Sequence, residues 1–405
     1  MTGITCLPPA AETDPIALGT AARKVAAPSA SIKQRIIELD LLRCIAILLV
    51  LGAHPVVHWQ SPGEVPWLIY GWFHVGYTGV DLFFVLSGFL IAGLIFSEYR
   101  ATGEFQKGRF WIRRALKIWP AYYIYLIILF ATRAMHGHSL APAIPFLLHF
   151  QNYSQHIDTA RHCWSLAVEE HFYLILPLVL GVTLSVLSPR RVLAAAALLG
   201  VASAIMRFYA TPGLPAVLSH LRFDTLFLGV ALAYVYHYHP MRLAWISRHR
   251  LALGCAGAAV VLCATIPSPV LDNVSSRWQT SLVPIVVGLG YALVLMALVS
   301  HRAVAAEREA EVRRGARYWM IKLLAAIGLY SYPIYLWHYD GAFKIVYPLV
   351  ESGWLGPQDS QLRWAIGTSL YVTLAVGAGV LVSRCLEVPI LMLRDRLFPR
   401  AAAPV

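Results

Sequence analysis

Charged residues are scarce in this sequence. They make up 13% of its 405 residues, whereas hydrophobic residues make up 58% and the mean hydropathy is +0.62. Soluble globular domains contain about 25% charged residues, so the composition excludes an ordinary soluble domain. It predicts an integral membrane protein with an all-α fold, because helices satisfy their own backbone hydrogen bonds in lipid.

The sequence also lacks the patterns of a metal site or a disulfide framework. Its six cysteines form no CxxC pair, and no HExxH motif occurs among its 15 histidines. We therefore expect no bound metal, and we interpret the histidines between 136 and 171 as surface residues. These are His136, His138, His149, His156, His162 and His171.

Acidic residues are outnumbered by basic ones, 21 to 33, which gives a net charge of +12. The basic residues lie in alternate short connections between apolar runs, which indicates membrane topology and not nucleic-acid binding. By the positive-inside rule both ends of the chain are cytoplasmic. Residues 1–35 lack the apolar centre of a signal peptide and are interpreted as a flexible cytoplasmic tail, as are residues 397–405.

Apolar runs of about 20 residues predict a polytopic transmembrane helical bundle of about ten spans between residues 36 and 396. A shorter run at 141–150 is a candidate re-entrant segment. The predicted spans are 39–58, 77–97, 115–133, 164–187, 191–210, 219–238, 250–267, 280–300, 323–349 and 364–393.

The first span combines an arginine and a histidine in an otherwise apolar run. Arg43 and His54 are eleven residues apart, so on a helix they share one face at a separation of roughly 16 Å. Ionisable groups inside a span usually face a protein interior or a cavity and carry function, and Pro55 is expected to disturb the helix beside His54. The alternative is that Arg43 reaches the headgroups and His54 is a satisfied residue at a helix end.

Carboxylates are predicted at a similar depth to His54 on two other spans. Asp81 lies near the outer start of the second span, and Glu169 and Glu170 lie near the outer start of the fourth. Ser165 shares a helix face with Glu169. Polar residues that converge from separate spans are typical of an active site. Asp81 is equally compatible with a helix N-cap, and one of the two glutamates with a structural role.

The cytoplasmic side carries a basic stripe where the third span begins. Arg109, Arg113 and Lys117 are four residues apart, and Arg114 lies beside them. Such a stripe is usually a topology signal or a headgroup anchor. Lys117, however, lies inside the apolar run, and together with Arg43 these cations suit the phosphates of a cytosolic nucleotide-like donor.

Polar residues also recur on one face of the ninth predicted span. Ser331, Tyr335 and His338 follow helical spacing, which indicates a lined passage, although core packing explains the aromatic residue equally well. Arg222 and Asp224 lie at the outer start of the sixth span. They are interpreted either as an ion pair or as a site at which Arg222 contacts an acceptor substrate.

Six segments, in this order, resemble the acyltransferase 3 family of integral-membrane O-acyltransferases. The resemblance covers nearly the whole chain and implies a bundle of about ten helices. It implies transfer of an acyl group, often acetyl from acetyl-CoA, to hydroxyls of surface saccharides, exported glycans or small molecules. The segments are LDLLRCIAILLVLGAH, GVDLFFVLSGFLI, FWIRRALKIWPAYY, WSLAVEEHFYLILP, RFDTLFLG and SYPIYLWH.

The resemblance and the positions described above together give the expected roles of individual residues. His54 is the expected catalytic residue, as general base or acyl carrier, with Glu169 or Asp81 orienting it. Lys117 replaces a more usual arginine, which removes the bidentate fork for phosphate. The expected donor-binding residues are Arg43, Arg113, Arg114 and Lys117. The expected passage or acceptor-lining residues are Trp164, Ser165, Arg222, Ser331, Tyr335 and His338.

The resulting hypothesis is a multi-pass enzyme of the cell inner (cytoplasmic) membrane. Its expected donor substrate is acyl-CoA, which the resemblance implies is acetyl-CoA, and no bound cofactor is expected. Its partners are the lipid bilayer and a carbohydrate or glycolipid acceptor. The alternatives are acylation of a cytosolic small molecule such as a macrolide, and a transporter or exporter without acyl transfer.

Overall fold

The protein is helical throughout the part that the structure describes. The computed structural model describes residues 36–58, 67–186, 189–210, 217–265, 276–305, 316–357 and 361–399. Within these ranges every regular element is a helix and no strand occurs, which confirms the predicted all-α fold. Both predicted cytoplasmic tails lie largely outside the described residues.

The helices follow one another with short connections. Three 3₁₀ turns occur at Gln151–Tyr153, Ile157–Cys163 and Ser219–Leu221, and two π-helical turns at Tyr339–Phe343 and Ser383–Glu387. The α-helices are α1 (Ile37–His58), α2 (Trp67–Gly76), α3 (Gly79–Thr102), α4 (Lys107–Met135), α5 (Ala143–Leu147), α6 (Trp164–Val186), α7 (Pro189–Ala210), α8 (Phe223–Tyr238), α9 (Pro240–Arg248), α10 (Arg250–Thr265), α11 (Ser276–Ala305), α12 (Ala316–Leu329), α13 (Ser331–Trp337), α14 (Lys344–Glu351), α15 (Gln361–Val382) and α16 (Val388–Leu397).

Six helical stretches among the described residues are long and apolar enough to cross a membrane. Two bent pairs, α9 with α10 and α12 with α13, raise the number to eight if each pair is one span. The ten predicted spans are not confirmed: α8 has only 16 residues, and α1 carries three charged residues in its first two turns. The six stretches are Gly71–Thr102, Lys107–Met135, Ile157–Gly181, Arg190–Ala210, Gln279–His301 and Gln361–Leu397.

Helix α1 is enclosed by its neighbours α2, α3, α12 and α13. Leu42, Ile47 and Leu51 are fully buried. Gly328 of α12 approaches so closely that a Cβ there would lie 1.8 Å from the carbonyl oxygen of Asp40, and small residues are what permit such close helix packing. The helix that carries Arg43 and His54 is therefore an interior helix.

Two sequence expectations about helix continuity are wrong. Helix α1 remains helical through Pro55 to His58, although Pro55 has no N–H to donate to the carbonyl of Leu51. The predicted span 323–349 is instead broken: α12 and α13 meet at an angle of 55°, and a π-helical turn follows His338. Pro333 lies in the first turn of α13, where its missing N–H costs little. The break gives His338 a position outside regular α-helix.

Buried ion pairs join the outward ends predicted for α3, α7 and α8. Arg222 bonds directly to Asp81. Asp224 does not take the role that its spacing suggested, because both of its carboxylate oxygens accept from Arg207, at 3.0 and 2.7 Å. Arg207 is completely buried and also donates to the carbonyls of Leu221 and Ser281. The polar residues of this region therefore hold helices together.

Candidate functional site

Three imidazole rings form a cluster where α1, the turn before α6 and the end of α13 meet. The ring centres of His54 and His338 are 4.8 Å apart, and those of His338 and His162 are 5.1 Å apart. Tyr339 lies 5.5 Å from His54 and 5.8 Å from His162. We call His54, His162 and His338 the histidine cluster. The structure thus brings two predicted site residues, His54 and His338, into contact.

The hydrogen bonds of His338 define which of its nitrogens is available. Its Nδ1 lies 2.5 Å from the carbonyl oxygen of Tyr335, and because a carbonyl only accepts, Nδ1 carries a proton. In the neutral ring Nε2 is then an acceptor. Nε2 is buried and has no hydrogen-bond partner among the described residues. A fully buried lone pair beside the ring of His54 can accept a proton or a hydrogen bond from a group that enters the cluster.

His162 is buried, and its interpretation as a surface residue is wrong. Its side chain is 7% exposed, and its Nε2 lies 3.1 Å from the carbonyl oxygen of Leu336. The wrong assignment arose because this histidine was grouped with the histidines of a loop. A better signal was its position two residues before Trp164, which begins α6. His149 is buried as well.

Ser165 and Tyr335 meet beside the histidine cluster, although they lie on different helices. The Tyr335 hydroxyl donates to the carbonyl oxygen of His162 at 2.7 Å. Its oxygen lies 2.6 Å from Oγ of Ser165, so the serine is the donor in that bond. Ser331 is also buried, one turn earlier on α13. These bonds fix the segment between His162 and Ser165 against α13.

Glu169 and Glu170 point to different partners. Ser87 of α3 donates to Oε1 of Glu169 at 2.5 Å and in turn accepts from the Tyr173 hydroxyl at 3.0 Å. Glu169 also interacts electrostatically with Arg114. Oε2 of Glu170 accepts from the indole of Trp119 at 3.1 Å. That Glu169 orients His54 stays a prediction.

Asp81 is one half of the buried ion pair with Arg222, and the guanidinium of Arg222 lies 5.6 Å from the rings of both Phe84 and Trp164. Asp81 lies in the first turn of α3, but the side chain of the N-cap residue Thr78 makes no capping hydrogen bond there. A structural function of Asp81 is therefore established by its contacts, and its predicted effect on His54 stays a prediction.

Arg43, Arg114 and Lys117, which we call the basic cluster, interact with one another electrostatically. Arg43 is 2.8 Å from Asp40. The guanidinium of Arg114 lies 3.9 Å from the ring centre of Tyr173, and its Nε is buried with no hydrogen-bond partner in the described part of the chain. Three cations from α1 and α4 at one place form a suitable site for an anion.

The other basic residues of the stripe have different contacts. Arg113 donates to Asp395 at 2.8 Å and to the carbonyl of Phe398, and Arg109 pairs with Glu98 at 2.7 Å. These bonds tie α4 to α16 and α3. In the described ranges, no group of three or more His, Cys, Asp or Glu side chains has an arrangement that could hold a metal ion.

The fold and these clusters define a multi-pass helical membrane protein with an interior histidine site and an interior basic site. Residues 36–387 match the acyltransferase 3 family model, which is described as an acyltransferase domain. The chain belongs to the acyltransferase 3 family. This confirms the family inferred from the six sequence segments.

Several curated bacterial proteins are similar to the chain. It is 27% identical over 337 residues to the peptidoglycan O-acetyltransferase OatA of Listeria monocytogenes. The matched segment covers 78% of this chain and 50% of that protein. It is also 27% identical over 325 residues to the O-acetyltransferase OatA of Staphylococcus aureus. That match covers 74% of this chain and 49% of that protein. A 227-residue match, 31% identical, joins it to the putative peptidoglycan O-acetyltransferase YrhL of Bacillus subtilis, over 50% of this chain and 33% of that protein.

The matched segments cover only part of each relative. The chain spans about half the length of the two OatA relatives. No solved structure matches it. The matches therefore place the chain in its family.

Proposed function

We propose that the protein transfers an acyl group, in the first instance acetyl, from cytosolic acyl-CoA to a hydroxyl of a cell-wall or other exported saccharide. The observation that carries the proposal is that one interior helix, α1, joins the histidine cluster to the basic cluster. The names of the similar proteins support a saccharide acceptor. No resident cofactor is part of the proposal, because both substrates supply the reacting groups.

The proposed topology has about ten spans with both ends of the chain in the cytosol, in the inner (cytoplasmic) membrane. Its support is the distribution of Lys and Arg among the connections. In this orientation the basic cluster lies toward the cytosol, where acyl-CoA is made, and His54 lies toward the outer side. The donor would thus extend along α1 from its phosphates to its thioester.

In the direct form of the reaction, His54 takes the proton from the acceptor hydroxyl. The hydroxyl oxygen forms a bond to the thioester carbonyl, the carbon–sulfur bond breaks, and the departing thiolate takes the proton from the imidazolium. In the covalent form, a ring nitrogen of His54 attacks the thioester carbonyl, the carbon–sulfur bond breaks, and the thiolate takes the proton that the imidazole gives up. The acceptor hydroxyl then attacks the acyl-imidazole, the carbon–nitrogen bond breaks, and the hydroxyl proton returns to the ring. The ring of His338 contacts that of His54 and can orient it. Glu169 and Asp81 are predicted to help orient His54 through the residues between them.

The proposed donor site consists of Arg43, Arg114 and Lys117, with Arg113 at its cytoplasmic edge. Charge-assisted bonds to phosphate are strong and arginine makes them in pairs. The buried Nε of Arg114 has no hydrogen-bond partner among the described residues. This favours Arg114 as the residue that contacts a donor phosphate directly. Arg113 already binds Asp395, so a phosphate there has to compete with a carboxylate.

The test is a transfer assay in membranes that contain the full chain. Labelled acetyl-CoA is supplied to wild type, His54→Ala and His136→Ala, and mass spectrometry identifies which saccharide gains an acetyl ester. His136 is exposed and serves as a matched control. We expect ester formation in wild type and the control only. Transfer retained in His54→Ala would overturn the role of His54, and solute movement that needs no acyl donor would favour a transporter.

A further inference from the structure

A second group of residues, in which buried polar atoms lie beside exposed aromatic rings, is found between α4, the loop after α5 and α6. We call Trp119, His149, Phe150, Glu170 and His171 the loop site. His149 and Glu170 are only 7% and 8% exposed. None of these five residues was assigned a part in the transfer reaction above.

The backbone of the loop is held in an uncommon conformation. His149 has φ of 58°, and it is the one non-glycine residue with positive φ in the described ranges. Tyr122 and Tyr123 of α4 donate to the carbonyls of Phe146 and Leu147 at 3.0 and 3.1 Å. Such conformations persist where surrounding bonds enforce them, and they concentrate at functional sites.

Three buried polar atoms of the loop site have no hydrogen-bond partner in the part of the chain that is described. They are Nε2 of His149, Oε1 of Glu170 and Nε2 of His171. Their own side chains are well anchored: Glu170 accepts from Trp119 at 3.1 Å, and Nδ1 of His171 lies 2.6 Å from Oγ of Ser219. Buried polar atoms are nearly always satisfied in folded proteins, so this arrangement favours a hydroxyl-bearing ligand.

Aromatic faces lie beside these polar atoms. The His149 ring stacks on Tyr122 at 4.4 Å and lies 6.3 Å from Trp119. Phe150 lies 4.8 Å from His171. Trp119 and Phe150 are 40% and 53% exposed. Flat aromatic surface beside hydrogen-bonding groups without a partner suits a saccharide ring, whose C–H faces are apolar and whose hydroxyls lie at its edges.

The charge state of the loop favours a neutral ligand. Burial lowers the pKa of His149 to about 4, so the imidazole is neutral at pH 7. A neutral imidazole has one donor and one acceptor nitrogen, which matches a hydroxyl because a hydroxyl also donates and accepts. The basic cluster, by contrast, contains two guanidinium groups, which stay positively charged.

The loop site is connected to the histidine cluster by direct bonds. Gln151, two residues after His149, donates from its amide to the carbonyl oxygen of Cys163 at 2.8 Å. Cys163 adjoins His162, and its Sγ lies 3.5 Å from Nε2 of that histidine. The segment that carries His149 and Phe150 is therefore bonded to the segment that carries His162.

We propose that the loop site is a saccharide subsite, in which His149, Glu170 and His171 hydrogen-bond the hydroxyls of a sugar ring that packs on Trp119 and Phe150. This inference rests on the proposed function, because it names where the acceptor is held outside the reacting centre. The saccharide reaches it either free or on a lipid carrier, since the same hydroxyl chemistry serves both.

The test measures saccharide binding to the full chain in lipid nanodiscs without acyl donor. The probes are a soluble peptidoglycan tetrasaccharide, a lipid-linked disaccharide of the same sugars and the carrier lipid alone. The variants are His149→Gly, which keeps the positive φ, and Glu170→Gln, which keeps the shape. The control is His156→Ala, an exposed histidine of the same loop. Thermal melting of each variant verifies folding.

We expect both loop-site variants to weaken saccharide binding at least tenfold, and the control to bind as wild type does. Binding of the tetrasaccharide indicates a free acceptor, and binding of only the lipid-linked probe indicates a carried one. Equal binding of the carrier lipid alone, or wild-type affinity in both folded variants, would overturn the subsite. Since the assay uses no acyl donor, its result is independent of whether acyl transfer occurs.

Discussion

The histidine cluster and the basic cluster are connected by one helix but differ in their chemistry. The histidine cluster combines imidazoles with tyrosines, and its fixed hydrogen bonds end on backbone carbonyls. The basic cluster combines cations from two helices with carboxylate neighbours such as Asp40. A site with an unpartnered imidazole nitrogen, Nε2 of His338, suits proton transfer, whereas a cationic site suits an anion. The difference indicates that catalysis and donor binding are separable, and the following predictions test that separation.

The largest expected effect is on the rate of transfer when the histidine cluster loses His54. General base catalysis contributes about 10²- to 10⁴-fold, so His54→Gln is expected to lower kcat by about 10³-fold. The rate is measured as labelled ester formed per unit of protein in nanodiscs. His136→Gln is the matched control, and a variant of His54 with more than a tenth of wild-type kcat would show that the imidazole is dispensable.

The next effect is on stability and tests whether Asp81 belongs to the reacting site. Removing one partner of a buried ion pair costs about 3–5 kcal/mol, so Asp81→Asn is expected to lower the melting temperature substantially. The exposed pair Asp158–Arg161, 3.8 Å apart, is the control, and Asp158→Asn should change stability by about 1 kcal/mol or less. An unchanged melting temperature with a large loss of kcat in Asp81→Asn would move Asp81 into the catalytic machinery.

A smaller effect is expected from the second imidazole. His338→Phe keeps a planar ring but removes the Nε2 lone pair beside His54. Leaving a buried hydrogen-bonding group without its partner costs about 1–3 kcal/mol, which corresponds to about five- to a hundredfold in rate. We expect kcat to fall by that factor while KM for acyl-CoA stays within about twofold. A rise in KM for acyl-CoA without a change in kcat would mean that the two clusters are not separate.

The smallest effect concerns donor affinity. Arg114→Lys keeps the charge of the basic cluster but removes the guanidinium fork, so KM for acyl-CoA is expected to rise about tenfold with kcat nearly unchanged. Arg109→Lys, which alters an arginine of the same stripe that pairs with Glu98, is the control. If both variants shift KM equally, the effect is one of general surface charge.

The sequence was informative where one helix carries the pattern. The spacing of Arg43 and His54 on α1 and the family resemblance both follow from contiguous residues, and the all-α fold follows from composition. Contacts between distant segments were not predictable in the same way. Ser165 hydrogen-bonds Tyr335 and Arg207 pairs with Asp224 only because separate helices pack together. In the same way, His338 contacts His54 because α12 and α13 meet at an angle.

The buried histidines show why the loop between α4 and α6 was misinterpreted. A histidine in a polar loop is usually exposed, and no periodic pattern distinguishes His149 and His162 from the exposed His136 and His156. Their burial comes from bonds that fold the loop onto α4 and α13. Such bonds depend on tertiary structure. For His149 they leave no local signal in the sequence, and for His162 the signal is its position just before α6.

The most direct measurement is equilibrium binding of acetyl-CoA to His54→Ala and to Arg114→Ala in nanodiscs, beside transfer by the same samples. We predict that His54→Ala binds acetyl-CoA with wild-type affinity and forms no ester, and that Arg114→Ala binds at least tenfold more weakly. Loss of acetyl-CoA binding in folded His54→Ala, or ester formation by it at the wild-type rate, would contradict the separation of the two clusters.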